Sequence, residues 1–87
     1  MGLPELRKRV DEVDYKILES LANRFNIAKE IGKLKKEQAI GVQDKKREEF
    51  LINDRTQKLS SFGYNDPLFV SELFNLIMKK SREIQSD

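Results

Sequence analysis

Arg24 and Lys35 stand where the surrounding pattern calls for apolar residues. Wound at about 100° per residue, their segment puts Arg24 within about 40° of Leu6, Val13, Ile17, Ala28 and Ile31, and Lys35 about 20° from Arg24. Lys29, Lys33 and Lys36 project about 120–180° away, as solvated lysines do. An inward arginine can clamp a carboxylate through its planar fork, and a lysine can set a compact charge against an oxygen that is gaining negative charge. The competing account is structural, with Arg24 snorkelling or setting helix register and Lys35 lying beside a fraying end. Arg7 falls about 100° from the stripe, where position alone makes it an ordinary surface arginine.

Farther along, Asp44, Arg47, Glu48 and Leu51 share one helical face at i, i+3, i+4 and i+7. Taken alone, an N-cap followed by helix-stabilising surface charges accounts for them. Ser81 and Gln85 lie one turn apart, with Ser81 beside Ile77 and Ile84 on an apolar face. A core-facing serine can bond its own helix backbone, and a glutamine near the end of a helix can fray. Together, however, two cations, a carboxylate, a hydroxyl and an amide facing one interior need a polar occupant if they are not to stay unpaired. A bound small anion would meet that need.

The elements that must position these groups are helices. Leu3, Leu6, Val10, Val13, Ile17, Leu21, Ala28, Ile31 and Leu34 recur at spacings of 3 and 4, which predicts one helix from about Pro4 to Gln38. At about 1.5 Å per residue it would be on the order of 50 Å long, more than a three-helix monomer of this size can cover. Its apolar face therefore calls for a second subunit. The segment 38–43 breaks the pattern, and Asp44 is placed to cap a second helix over about Lys45 to Ser60. Residues 60–65 read as a turn, and Asp66-Pro67 is an N-cap with proline at the first position of a third helix reaching about Gln85. With no strand signal, the fold class is all-α, a three-helix chain forming a single domain over 1–87.

The 87 residues include no cysteine and no histidine, which removes disulfides, thiolate chemistry, the commonest metal ligand and the usual neutral-pH proton shuttle. Lys plus Arg number 17 against 15 Asp plus Glu, with the signs interspersed, a balance that speaks against a nucleic-acid partner. No run approaches the roughly 18 apolar residues of a membrane span and no apolar leader opens the chain, so the expected compartment is the cytoplasm.

The strings LRKRVDEVDYKILESLANRFNIAKEIGKLK, DKKREE and ELFNLIMKKSREIQ, in this order and spacing, resemble the three helices of the all-helical class of chorismate mutases. That resemblance runs from Leu6 to Gln85. It implies two subunits intertwined through the first helix, with two active sites per dimer. Substrate carboxylates would be held by Arg24 and by Arg7, the latter reaching across from the partner. Lys35 would contact the ether oxygen and the side-chain carboxylate of chorismate, and Gln85 would be the second partner of the ether oxygen. Asp44, Arg47 and Glu48 match the start of the family's second helix, where the glutamate and nearby backbone meet the substrate hydroxyl. Ser81 matches a serine near the ring carboxylate.

The implied reaction is the pericyclic conversion of chorismate to prephenate in aromatic amino acid biosynthesis, which needs no nucleophile, metal, cofactor or general base. Two alternatives stand beside it. Isochorismate-pyruvate lyases resemble these mutases and use a similar cationic pocket, and a non-catalytic helical dimerisation module would use Arg24 and Lys35 only to set register, paired with Glu48 or another acid across the interface.

Overall fold

The computed structural model describes residues 2–87, which form three helices: α1 (Leu3–Glu37), α2 (Lys45–Ser61) and α3 (Pro67–Ser86). Their bounds fall within a residue of those predicted from the apolar pattern, and no strand occurs among the described residues. Asp44 and Asp66 cap α2 and α3 as their positions foretell, accepting the backbone N–H of Arg47 at 3.0 Å and of Phe69 at 3.1 Å. At the start of α1, the Gly2 N–H donates to the Glu5 carboxylate, and Lys35 and Lys36 in the last turn complement the helix dipole.

Both interhelical turns close in the same way. Ile40 N–H reaches back to the Lys35 carbonyl and Ala39 N–H to that of Lys36, while Tyr64 and Gly63 do the same to Leu59 and Ser60. This paired pattern needs a left-handed residue between helix and loop. Gly63 adopts it freely at φ 100°, but Ala39 adopts it at φ 55° against the steric preference of a side-chain-bearing residue.

α3 packs against both other helices, whereas α1 and α2 have no Cα atoms within 8 Å of one another among the described residues. The buried apolar side chains are Ala28 of α1, Leu51 of α2, and Val70 and Met78 of α3, so the small core is organised around α3. Every described residue from Gly2 to Ser20 is exposed. The apolar stripe of α1 is correspondingly bare there, with Val10 57%, Val13 55% and Ile17 52% exposed.

The chain is 55 Å in its longest dimension with a radius of gyration of 16.0 Å, against about 12 Å for a compact globule of this length. Its accessible surface is 7190 Å², where a folded monomer of 10.2 kDa has about 5,300 Å². Among the described residues, no helix is long and apolar enough to cross a membrane.

Candidate active site

The gap between α1 and α2, floored by α3, forms a cavity of about 290 Å³. Arg24 and Lys35 enter it from α1, Asp44, Arg47 and Glu48 from the start of α2, and Ser81 and Gln85 from the end of α3. Seven of the eight candidate residues thus converge on one pocket. Arg7 does not, because it lies exposed in the bare half of α1, about 25 Å along the helix from Arg24.

The contacts combine the bland and functional readings of these residues. Ser81 is buried and donates its hydroxyl to the Ile77 carbonyl at 2.9 Å, as a core-facing helical serine does. The same oxygen accepts from Arg24 Nη1 at 2.5 Å, which fixes the guanidinium across the α1–α3 seam. Lys35 is not frayed: its Nζ donates to the Val42 carbonyl at 2.8 Å, joining the end of α1 to the loop that leads into α2. That bond uses one of three ammonium donors and orients the others. Neither Arg24 nor Lys35 forms an ion pair among the described residues.

Glu48 is paired with Arg82, whose Nη1 donates to Glu48 Oε2 at 2.7 Å across the α2–α3 seam. Asp44 spends one carboxylate oxygen on its capping bond. Gln85 is distinctive in the opposite sense, since its Oε1 is buried without any hydrogen-bond partner. A buried polar atom left unpaired costs about 1–3 kcal/mol, a penalty that a polar ligand would lift.

The electrostatics favour an anion. Arg24, Lys35, Arg47, Arg55 and Arg82 line the cavity against two acids, Asp44 and Glu48. Burial, and after it the positive charges of Arg55 and Arg47, holds the Arg24 guanidinium below its ordinary pKa, although an arginine so placed stays cationic at neutral pH. Three like charges and partial desolvation are an unfavourable arrangement for an empty protein. They are a favourable one for a protein holding carboxylates.

Three contributors escape the sequence pattern. Arg55 continues the Asp44 face, about 20° from it at i+11, one turn beyond Leu51. Arg82 follows Ser81 directly, and only the structure reveals its partner on α2. Gly32 is buried where α1 passes the backbone of Gln85, a contact between distant segments with no local signature.

A family model described as chorismate mutase type II matches residues 6–86. The chain belongs to that family. It is also 32% identical over 83 residues to a chorismate mutase of Methanocaldococcus jannaschii, an alignment that covers 95% of this chain and 83% of the relative. Both matches span all three helices, so membership of the type II chorismate mutase family includes every wall of the cavity.

Proposed function

We propose that this chain is a chorismate mutase, rearranging chorismate to prephenate at the α1–α2–α3 cavity as a step in aromatic amino acid biosynthesis. The observation that carries the reading is the convergence of Arg24, Lys35, Glu48 and Gln85 on one cavity in a chain of this family. The rearrangement breaks the C–O bond of the ether as a new C–C bond forms, with electrons moving around one six-membered ring. No proton has to be taken or given, so histidine and cysteine are dispensable.

Two tasks remain for the protein. The first is to hold a flexible dicarboxylate in its folded, reactive shape, which by orientation alone can contribute up to about 7–11 kcal/mol. Arg24 takes one carboxylate, already oriented by Ser81, and Arg47 adds positive charge at the rim. Glu48 accepts from the ring hydroxyl. The second task is to stabilise negative charge as it grows on the ether oxygen, where one well-aimed donor is worth about 3–4 kcal/mol. Lys35 supplies a charged donor and Gln85 a neutral one. Turning the Gln85 amide end for end directs its N–H₂ at the oxygen, an exchange the side chain permits.

The active species is a homodimer in this reading. The protomer exposes roughly 1,900 Å² beyond what a folded monomer of its mass would, and two such surfaces together fall in the range of obligate dimer interfaces. The bare half of α1 is the natural face for that contact, and it brings Arg7 of the partner subunit to the second carboxylate. We place the protein in the cytoplasm, a reducing compartment in which a cysteine-free chain loses nothing.

Product analysis tests the activity. Purified protein is mixed with chorismate, the loss of substrate absorbance is followed, and products are separated by chromatography, with isochorismate in a parallel tube. Prephenate formed above the uncatalysed background is the expected result. Pyruvate from isochorismate without prephenate from chorismate would assign a lyase instead, and no product from either would leave a helical dimerisation module.

A further inference from the structure

We propose that Arg82 is a positioning residue, setting the selectivity of the site for the substrate's ring hydroxyl by holding the Glu48 carboxylate in place. The inference rests on the mutase reading above and concerns a residue to which that mechanism gives no task. Among the described residues, α1 and α2 have no Cα atoms within 8 Å of one another, so the α2 wall is packed on α3, while α1 reaches only the loop before it through the Lys35–Val42 bond. The Arg82–Glu48 pair is the polar tie between α2 and α3 at the cavity, spanning residues 34 apart in the chain at 2.7 Å.

The pair leaves Glu48 with a defined free acceptor. Arg82 occupies Oε2, while Oε1 has only a long contact, 3.4 Å, from the Gln43 amide. An unpaired glutamate would sample several rotamers and present no fixed acceptor to a hydroxyl. Charge makes the same demand, because a bare carboxylate beside a dicarboxylate substrate repels it. Arg82 offsets that charge without consuming the second oxygen. Side-chain exposures of 31% for Arg82 and 22% for Glu48 leave the pair partly shielded from water, where the contact is worth somewhat more than on an open surface.

The test compares kcat/KM for chorismate with that for the analogue carrying hydrogen in place of the ring hydroxyl, in the wild-type homodimer, Arg82→Met and Arg82→Lys. Both substrates are dianions, so loss of charge or a general loosening of the site affects them alike, and the ratio isolates the hydroxyl. Arg82→Met is expected to lower the preference for chorismate by about tenfold, the scale of one charge-assisted hydrogen bond. Arg82→Lys, which keeps the charge, retains most of the preference. A ratio unchanged in Arg82→Met overturns the proposal, whatever happens to the absolute rates, and so does equal loss in both variants. A wild-type protein that does not turn over chorismate overturns the mutase reading and this inference together.

Discussion

A Cβ on Gly32 would stand 2.6 Å from the backbone oxygen of Gln85 and 2.8 Å from its Cα, so α1 and α3 meet there with no space for a methyl group. This contact lies between the two residues assigned to the ether oxygen. It comes one turn before Lys35 on α1, and on α3 it falls on Gln85 itself. Lys36 adds to the same clamp by donating to the backbone oxygen of Asp87.

Gly32→Ala must therefore push the end of α3 outward. Overpacking of this kind costs about 1–3 kcal/mol, and displacing a reacting group by about 1 Å can cost on the order of a hundredfold in rate. The expected outcome is a folded protein of lower thermal midpoint whose kcat falls by at least tenfold, with KM changed far less. Calorimetry with steady-state kinetics checks it, and an unchanged kcat would detach Gln85 from the ether oxygen.

The class and the three helices were legible in the sequence because each depends on local periodicity, whereas of the cavity residues periodicity singled out only Arg24 and Lys35, and the other candidates were marked by the family resemblance. Arg24 and Lys35 betrayed themselves as charges on an apolar stripe, and Asp44 and Asp66 as caps ahead of helical runs. Contacts between segments were not legible. The Gly32–Gln85 approach, the Arg82–Glu48 pair and the capture of Lys35 by Val42 each join residues whose meeting depends on the packing of whole elements. Ala39 is a smaller case, since an alanine in the left-handed position carries no sequence mark of the turn it makes.

Arg24 separates stability from activity. A base whose folded-state pKa lies below its unfolded value destabilises the fold while protonated, and that cost fades only as pH rises past the folded value. Burial, with Arg55 and Arg47 beside it, sets that direction for Arg24. At neutral pH the group is charged, so Arg24→Met is expected to leave the thermal midpoint unchanged or to raise it, while kcat/KM falls by at least a hundredfold. Substrate or product should stabilise the wild type by mass action and the variant far less. A variant that loses stability and activity in proportion would show Arg24 to be structural.

The proposed dimer makes a prediction about mixtures. Arg7→Ala and Lys35→Ala each disable every site of their own homodimer when Arg7 acts across the interface. Unfolded together and refolded as equal parts, they form a heterodimer with one site that has both residues. Statistical mixing puts half the protein in that form with one competent site of two, so activity should return to about a quarter of wild type. A refolded mixture as inactive as its parents would place Arg7 outside the site.

The most direct test of the central claim is the turnover of Lys35→Ala. The claim is that this ammonium stabilises charge growing on the breaking ether bond, so its removal should lower kcat by about a hundredfold to a thousandfold, the scale of a lost transition-state donor, with helical content and dimer mass unchanged. Turnover within a few-fold of wild type in a folded, dimeric Lys35→Ala protein would contradict the mechanism.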